Sequence, residues 1–447
     1  MAKINKKQIK KLLTPQGVNT RALRRSIRLK FHQTLYFPKD FFWGTSTSSH
    51  QVEGNNIFND WWRWETQSKK RHHSGKACDQ KKYFEKDFEM AKKMHQNAHR
   101  FSIEWSRIEP KEGCWDLEAV QYYKNIIRSL RKKHIEPFVT LHHFTNPAWF
   151  SRKGGWDCAS SQFYFSRYVK FIVEELGHDV HYWMTINEPL VYSTMSYLAG
   201  LWPPEKKSYW LMLKSYRNLI RAHKKAYRLI HSIYKKKLWG KPSVGIASNS
   251  VSIYSYKKHS LFNWFFALIS DWIWNHSFFT FSRRYHDFIG INYYFHYRVR
   301  GLHFQTLRFY LEARQEHREM TSVGWEVYPQ GIFDVLVDLN SYKLPIFVTE
   351  NGIATTNESK RSRYLISYLK EVYHAIQAGV DVRGYFYWSL IDNFEWEKGF
   401  EPRFGLIGIN YRTMRRKPRH AALLYSKICE NNSIPHSFLK YLGHSVR

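Results

Sequence analysis

The chain has few acidic residues, few cysteines and no long apolar run. Asp and Glu number 37 against 70 Lys and Arg, so the formal net charge is +33 over 447 residues. The missing apolar run argues against a membrane span, and the N-terminus lacks the apolar core of a secretion signal. The four cysteines form no CxxC pair, which argues against a disulfide framework or a zinc ribbon and is typical of reduced thiols in a cytoplasm. They are Cys78, Cys114, Cys158 and Cys429.

The excess of basic residues has two interpretations. A positive field of this size attracts nucleic acid or anionic membranes at low salt, or it is a compositional habit that keeps the protein in solution. The basic residues are scattered along the chain and accompany no nucleic-acid-binding motif. The sequence therefore favours the second interpretation, and we expect no specific nucleic-acid partner.

Residues 1–34 are set apart by their charge. Residues 1–30 contain basic residues and no acidic one, a composition compatible with a disordered arm, a nucleic-acid or lipid tether, or a targeting segment. A flexible, solvated extension is the simplest interpretation. Residues 35–447 contain neither a low-complexity linker nor a short repeat, so we expect them to form one domain.

Eight short β-rich runs recur along residues 35–447. Most are followed by a turn and a stretch with helical periodicity, which is the alternation expected of parallel β/α units. Eight such units predict an α/β fold with a closed barrel, an architecture whose single domains commonly reach about 250 residues or more. The runs cover residues 41–49, 99–106, 135–144, 182–189, 243–251, 288–294, 345–352 and 382–390.

Helical periodicity is clearest in three of the connecting segments. These are residues 117–134, 160–178 and 358–379. Gly177 and Gly379, near two of the ends, are typical helix stop signals. The helix after the fifth run is the least clearly indicated.

Polar side chains concentrate where the runs end. Catalytic groups of such a barrel lie at the carboxyl ends of its strands, whereas the strand bodies are filled with apolar side chains. One polar side chain at a strand end is usually a structural cap, but every run except the fifth shows the pattern. The side chains are Gln51, Glu53, Arg100, Glu104, His142, His143, Asn187, Glu188, Asn292, Tyr294, Glu350, Asn351 and Trp388.

Two glutamates stand in matching positions. Glu188 in TINEP and Glu350 in VTENG close the fourth and seventh runs, and barrel closure would bring them to one rim. Hydrolysis of a glycosidic bond needs one carboxylic acid to protonate the leaving oxygen and one carboxylate at the anomeric carbon. One of the two must keep its proton near neutral pH, which burial or a neighbouring negative charge achieves by raising its pKa. The residues alone leave open which one.

From about residue 36 to about residue 430 the chain resembles glycoside hydrolase family 1, the family of β-glucosidases and β-galactosidases. Residues 37–54, TINEP, VTENG and residues 385–406 resemble four family motifs in the family's order. The resemblance implies a single (β/α)8 TIM barrel that needs no metal or other cofactor. It also implies that Glu188 is the general acid/base and Glu350 the nucleophile.

Ten further side chains acquire roles from this resemblance. Arg100 would keep Glu350 ionised, and Tyr294 would hold it by a hydrogen bond. Asn187 would donate to the sugar 2-hydroxyl, and Trp325 would belong to the aglycone side. Each is also compatible with a structural role as a cap, an ion pair or a core aromatic. The remaining substrate-binding residues would be Gln51, His143, Asn292, Trp388, Glu395 and Trp396.

Glu395 narrows the substrate class, and two segments depart from the family pattern. The Glu395 carboxylate would accept from the 4- and 6-hydroxyls of a neutral glucose or galactose, and its charge would repel a 6-phosphate. Residues 142–150 differ from the usual run after the third strand, which leaves the contacts to the 3- and 4-hydroxyls open. The segment of residues 249–287 is short for the family. This predicts reduced fifth and sixth units, with a more open or mobile wall and faster hydrogen exchange there.

These observations predict a retaining β-glycosidase that hydrolyses β-D-glucosides and related galactosides and fucosides by double displacement. One alternative is a transglycosidase, in which an acceptor sugar replaces water. Another is a glycan-binding or nucleic-acid-binding protein that uses the basic barrel surface. A degraded site would not need both glutamates together with Arg100, Asn187 and Tyr294, so their presence favours the enzyme. A small β-glycoside or oligosaccharide is the expected partner, and the oligomeric state stays open.

Overall fold

Eight parallel strands close into a barrel in the computed structural model, which describes residues 13–14, 17–18, 23–24, 26–27, 33–256, 260–299 and 318–442. Each strand pairs with the next one along the chain, and the eighth pairs with the first. The eight runs in the sequence correspond to these strands, so the predicted TIM barrel is confirmed. The strands are β1 (Phe42–Ser46), β2 (Ala98–Ser102), β3 (Glu136–Thr140), β4 (Tyr182–Asn187), β5 (Ser243–Asn249), β6 (Ile289–Asn292), β7 (Ile346–Asn351) and β8 (Val382–Trp388).

A helix follows each barrel strand. The three helices predicted from periodicity match α2, α3 and α7 to within two residues at each end. Gly379 adopts a left-handed φ of 87° just after α7, as expected of a helix stop signal. The helices are α1 (Gln80–Lys93), α2 (Leu117–Lys132), α3 (Ser161–Leu176), α4 (Tyr209–Lys237), α5 (Leu261–Asp271), α6 (Gln330–Leu339), α7 (Glu358–Gln377) and α8 (His420–Asn431).

Short elements lie in the connections between these units. Four two-stranded pairs of the described residues lie outside the barrel: Leu13–Thr14 with Gly17–Val18, Leu35–Tyr36 with Ser433–Ile434, Ser252–Ser255 with His296–Val299, and Ile407–Asn410 with Arg415–Pro418. Within the described ranges, no helix is long and apolar enough to cross a membrane. The short helices are Ser49–Val52, Asp60–Thr66, Trp105–Ile108, Ala148–Arg152, Pro189–Ser193, Thr194–Leu198, Trp272–His276 and Ser277–Ser282.

Aromatic rings fill the barrel interior. Phe138, Phe347 and Phe386 come from three different strands. The ring centroid of Phe138 lies 5.3 Å from that of Phe347 and 4.7 Å from that of Phe386. Rings of this size require glycine on neighbouring strands, since a Cβ on Gly44 would lie 2.7 Å from the Phe386 ring. A Cβ on Gly384 would similarly lie 3.0 Å from the Phe347 ring. The packed interior is a rigid base for the side chains at the carboxyl rim.

Part of the basic extension contacts the barrel. Leu23 is buried in the main core cluster, and Arg24 donates two hydrogen bonds to Glu371 on α7 at 2.7 and 2.6 Å. Most of residues 1–34 lie outside the described residues. A flexible extension with a domain boundary at residue 35 therefore stays a prediction.

The fifth and sixth units are small but complete. Strand β6 is the shortest of the barrel, and α5 and α6 are the shortest of the eight helices, in line with the short segment noted in the sequence. A helical connection nevertheless runs without a break from Leu261 through Ser282. Faster hydrogen exchange in these units stays a prediction.

An ion triad joins α5 to α6. His276 Nε2 lies 2.6 Å from Asp338 Oδ2 on α6 and 3.5 Å from Asp271 Oδ2 at the end of α5. Burial opposes a charge on the ring, but hydrogen bonds to Asp271 and Asp338 raise the pKa of His276 to about 11. The triad is therefore charged at neutral pH and holds the two short units together.

Replacement of Asp338 by asparagine is expected to lower the free energy of unfolding by roughly 2 kcal/mol near neutral pH. This loss lies between those typical of exposed ion pairs and of buried ion pairs. The pKa of His276 is raised by folding, so the contribution of its charge is complete below its unfolded pKa and disappears as pH rises through about 11. Urea unfolding near pH 6 and near pH 10 should therefore show a larger loss at the lower pH. Asp381→Asn, in an exposed pair with Arg383, is the control, and equal losses at both pH values would contradict the role of the triad.

Candidate active site

One cavity opens among the carboxyl ends of the barrel strands. Its volume is about 270 Å³, and both Glu188 and Glu350 line it. The resemblance gives catalytic or binding roles to twelve side chains, namely the two glutamates and ten others, and ten of these twelve line this cavity. The other two, Arg100 and Asn292, are buried and bind the two glutamates from behind. The ten are Gln51, His143, Asn187, Glu188, Tyr294, Trp325, Glu350, Trp388, Glu395 and Trp396.

Glu350 projects from β7 into a cationic setting. Its Oε1 accepts a hydrogen bond from Arg100 Nη1 in a buried ion pair, and its Oε2 accepts one from the Tyr294 hydroxyl at 2.6 Å. Burial raises the pKa of Glu350, whereas the charge of Arg100 and the Tyr294 hydroxyl oppose this rise. The guanidinium thus stabilises the carboxylate form and fixes its orientation.

Glu188 stands directly after β4 in a contrasting setting. Its backbone is left-handed, with φ 43° and ψ 60°, an uncommon conformation that directs its side chain into the cavity from the start of the helix Pro189–Ser193. Its Oε1 accepts from two amides, Asn292 Nδ2 at 2.7 Å and Asn249 Nδ2 at 3.4 Å. Burial and the neighbouring charge of Glu350 raise the pKa of Glu188 to about 8. Glu188 is therefore the glutamate that keeps its proton at neutral pH.

Two amides connect the carboxylates. Asn187 Oδ1 accepts from Arg100 Nη2 at 2.7 Å and from Asn292 Nδ2 at 3.1 Å. Asn292 Nδ2 also donates to Glu188 Oε1 at 2.7 Å, so hydrogen bonds through Arg100, Asn187 and Asn292 join Glu350 to Glu188. The charge of Glu350 also raises the pKa of Glu188, so the two carboxyl groups are close enough to interact, as catalysis by a carboxylate pair requires.

Planar groups form one wall of the cavity. The His143 ring lies between the indoles of Trp388 and Trp396, 6.2 Å from each, with interplanar angles of 21° and 19°. Burial and then the charge of Arg100 lower the pKa of His143 well below its usual value. One nitrogen of this neutral ring pairs with Asn187 Nδ2 at 3.2 Å, and the other has no partner among the described residues. The wall therefore offers flat apolar faces, and the unpaired nitrogen of His143 is buried behind them.

Gln51 and Glu395 are neighbours in the same cavity. Gln51 Nε2 donates to the Phe394 carbonyl at 2.9 Å and lies 3.3 Å from Glu395 Oε2. Burial and then the charge of Glu397 raise the pKa of Glu395 to about 8. Glu395 is therefore mostly protonated at neutral pH before a ligand binds, so its own charge repels a 6-phosphate less than the sequence predicts. Glu397, which also lines the cavity, is the nearby second carboxylate that contributes to such repulsion.

The sequence and the fold match those of known proteins. The model of Glycosyl hydrolase family 1 matches residues 33–280 and 275–434, which together span most of the chain. The chain belongs to glycosyl hydrolase family 1.

Relatives with this fold cover nearly the whole chain. A β-glycosidase from Pyrococcus horikoshii is 38% identical, with a TM-score of 0.84 over 92% of this chain and 99% of that one. A 1,4-β-D-glucan glucohydrolase from Thermotoga neapolitana is 30% identical over 89% of this chain and 99% of its own length. A β-galactosidase from Pyrococcus woesei is 30% identical over 89% and 98%, respectively.

This membership confirms that the chain is an enzyme, a glycoside hydrolase of the β-glycosidase type. The retaining β-glycosidase predicted from the sequence is likewise confirmed, and neither alternative, transglycosidase or binding protein, is favoured by these relatives. Similarity to these relatives does not assign roles to individual side chains, so those roles are inferred from the geometry of the site.

Some polar residues at the strand ends do not reach the cavity. Glu53, Glu104, His142 and Asn351 are buried in hydrogen-bond networks around the barrel rim. Their partners are, in order, Tyr123, Thr145, Asn146 and Tyr364. These four residues support the rim, which is the structural role that a polar strand end usually has.

The fifth strand supplies a site residue that the sequence interpretation missed. Asn249 ends β5, where its Nδ2 faces Glu188 Oε1 and its Oδ1 accepts from Trp274 Nε1 at 3.1 Å. Its place at the end of the fifth run was a signal equal to those of the other strands. The cavity residues Trp202, Trp274, Glu397 and Lys398 lie in connecting segments, where strand periodicity carries no signal.

Trp325 and Trp274 lie in two different parts of the cavity lining. Trp325 packs against Tyr294 and Phe295 with ring centroids 5.2 and 5.4 Å apart. Trp274 lies in the helical turn Trp272–His276 and is tied to Asn249. Both indoles line the cavity.

Proposed function

We propose that this family 1 enzyme hydrolyses β-D-glucosides and related neutral β-glycosides, including galactosides and fucosides, with Glu350 as nucleophile and Glu188 as general acid/base. One observation carries the proposal: in one cavity, Glu350 pairs with a guanidinium, while Glu188 accepts from two amides of the described residues and has a pKa of about 8. A charged carboxylate and a protonated one are the two groups that a retaining glycosidase needs.

In the first step, the Glu350 carboxylate attacks the anomeric carbon as the bond from that carbon to the aglycone oxygen breaks. Glu188 gives its proton to this oxygen, and the aglycone leaves as an alcohol. The products are a glycosyl ester on Glu350 and an ionised Glu188. Loss of the negative charge on Glu350 lowers the pKa of Glu188, whose pKa is raised in part by that charge.

In the second step, the Glu188 carboxylate takes a proton from water, and the water oxygen attacks the anomeric carbon. The ester bond breaks, Glu350 becomes a carboxylate again, and Glu188 regains its proton. Each step inverts the anomeric carbon, so the β configuration is retained overall. The hydrogen bond of Asn187 to the 2-hydroxyl would strengthen as charge develops on the sugar ring.

Neutral sugars fit the hydrogen-bonding groups of the cavity. Gln51, His143 and Glu395 present an amide, a neutral imidazole and a carboxyl group next to the Trp388 and Trp396 indoles. Support also comes from relatives that are a glucan glucohydrolase and a β-galactosidase. A β-glucosidase from Thermotoga maritima, 27% identical with a TM-score of 0.80 over 89% of this chain and 99% of that one, has been solved in complex with glucoimidazole.

The test is a panel of 4-nitrophenyl glycosides with β-glucose, β-galactose, β-fucose, 6-phospho-β-glucose and α-glucose as the sugar. We expect turnover of the first three, none of the α-glucoside, and the β anomer of glucose as the first product by NMR. Release of the α anomer, or turnover of the phosphorylated glucoside alone, would overturn the proposal.

Replacement of Glu395 by glutamine is expected to raise KM for the β-glucoside by roughly tenfold, because hydrogen bonds of sugar hydroxyls to a charged carboxylate are stronger than those to an amide. Because the pKa of Glu395 is about 8 in the free enzyme, Glu395 must lose its proton to bind the sugar as a carboxylate. KM of the native enzyme should therefore fall as pH rises toward 8. Steady-state kinetics across this range measure both effects. Glu397→Gln is the control for charge alone, and an equal effect of both substitutions would count against a direct contact of Glu395 with the sugar.

The four cysteines are all unpaired, which supports our proposal that the protein works in a reducing compartment such as the cytoplasm. We also propose that the catalytic domain comprises residues 35–447, with residues 1–34 as a flexible extension anchored by Leu23 and Arg24. Limited proteolysis that cuts on both sides of these two residues and leaves the barrel active would support this division.

A further inference from the structure

Helix α5 carries four of its seven large apolar side chains on its outer face, and the other three, Trp264, Phe266 and Leu268, are half-buried. The residues that α5 buries against the protein are Asn263, Ala267 and Ser270, which are small or polar. A surface helix of a soluble domain normally packs its apolar face on the core, so the arrangement in α5 is partly reversed. The exposed side chains, which we name the α5 face, are Leu261, Phe262, Phe265, Ile269, Trp272 and Ile273.

The charge pattern of this segment matches its reversed polarity. No charged residue occurs between Ser260 and Ser270. Asp271 and His276, the ionisable groups that follow, pair with one another and with α6. Immediately after this helical segment, Arg283 and Arg284 are both exposed. An apolar face is thus followed by a cationic end.

A second exposed apolar group lies on a neighbouring element. Tyr209, Trp210 and Leu213 are exposed at the beginning of α4. Helix α4 packs on the end of the continuous helical segment Leu261–Ser282, where the Tyr216 hydroxyl lies 2.7 Å from Ser277 Oγ. Three lysines flank this second group: Lys206, Lys207 and Lys214 are all exposed.

We propose that the α5 face docks the protein on an anionic lipid bilayer. A helix with aromatic and aliphatic side chains on one face and cations at its border lies in the interface of a bilayer, where the apolar groups are buried and the cations meet anionic head groups. The helix does not cross the bilayer, because it is too short and carries the Asp271 and His276 pair. The net charge of +33 attracts the whole molecule to such a surface.

Charge also distinguishes the bilayer from a second copy of the chain. Two copies that met through their α5 faces would each bring a net charge of +33 and would repel one another, whereas an anionic bilayer would neutralise that charge. Nucleic acid would satisfy the charge but would leave the apolar face without a partner. Of these three occupants, the bilayer is the one that meets both features.

The α5 face borders the catalytic cavity. Trp272 and Ile273 of this face precede Trp274, whose indole lines the cavity and binds Asn249. A protein bound through the α5 face would therefore hold one side of its cavity near the lipid surface.

The experiment compares cosedimentation of the full-length protein with vesicles of phosphatidylcholine alone and of phosphatidylcholine with phosphatidylglycerol in equal amounts. The test variant is Phe262→Ser with Phe265→Ser. The matched control is Leu117→Ser with Phe163→Ser, two exposed apolar residues on α2 and α3. Turnover of an aryl β-glucoside, expected to be unchanged in all three proteins, reports that each is folded.

We expect native protein and control to bind the anionic vesicles, with binding that weakens as salt is added, and the test variant to bind at least about tenfold more weakly. Absence of binding by the native protein, or equal binding by the test variant, would overturn the proposal. Equal binding to both vesicle types would refute the role of the charge. A dimer in sedimentation velocity that only the test variant loses, without vesicle binding, would instead assign the α5 face to a second copy.

Discussion

Replacement of Glu350 by alanine is expected to lower kcat/KM toward an aryl β-glucoside by roughly 10⁴-fold or more, because the covalent route through the glycosyl ester is lost. The substitution also leaves Arg100 buried without its carboxylate partner, so the thermal unfolding midpoint has to be measured beside the rate. Arg100 keeps its bond to Asn187 at 2.7 Å, and we therefore expect the protein to fold.

Added azide should restore turnover of an activated glucoside in Glu350→Ala, because this small anion enters the space of the missing carboxylate. It attacks the anomeric carbon from the face that Glu350 would use, so the product should be the α-glycosyl azide. In Glu188→Ala the ester on Glu350 still forms, and azide should yield the β-glycosyl azide. The opposite pair of products would exchange the two roles, and a control with chloride should restore neither variant.

The strand ends explain why so much of the site was predictable from sequence. Glu350 belongs to VTENG, a run whose apolar residues predict a buried strand, and Glu188 directly follows such a run. Once eight runs predict a barrel, its geometry places the end of each strand at one rim. Arg100, Asn187 and Tyr294 are subject to the same rule, and all contact a glutamate or the network that joins the two.

Connecting segments and protonation states were less accessible from sequence. Trp202 and Lys398 reach the cavity from segments whose path depends on tertiary contacts, such as the bonds of Trp202 Nε1 and Lys398 Nζ to Glu397 at 2.8 and 3.0 Å. Which glutamate holds the proton depends on the side chains around each one. The structure distinguishes them by a guanidinium at Glu350 and amides at Glu188.

The unusual polarity of α5 also lies beyond periodicity. The sequence of residues 263–286 is aromatic throughout, and the direction of its apolar face is decided by what lies beneath it. Ser260 caps the helix by accepting from the Asn263 backbone N–H, and the fold buries Asn263, Ala267 and Ser270 rather than the large apolar residues between them. Helical periodicity predicts that a helix forms, but not which side it buries.

Replacement of Glu188 by glutamine is expected to lower kcat/KM by about 10² to 10⁴-fold for a glycoside with a poor leaving group, which needs the proton of the acid. The loss should be small for a dinitrophenyl glucoside, whose leaving group departs as an anion. The native pH profile should fall above about 8, the raised pKa of Glu188, and this fall should be absent in the variant. If the activity of the variant still falls above about pH 8, another group is responsible for that fall.

The same substitution should make the protein more stable at alkaline pH. Because the pKa of Glu188 is raised to about 8 by burial and by Glu350, the folded protein loses stability as pH rises from the ordinary carboxyl value to about 8. Glutamine has no proton to lose and still accepts from Asn292, so Glu188→Gln should unfold at a higher temperature than the native protein near pH 9 and at about the same temperature near pH 5. Equal differences at both pH values would mean that Glu188 is not held as a buried acid.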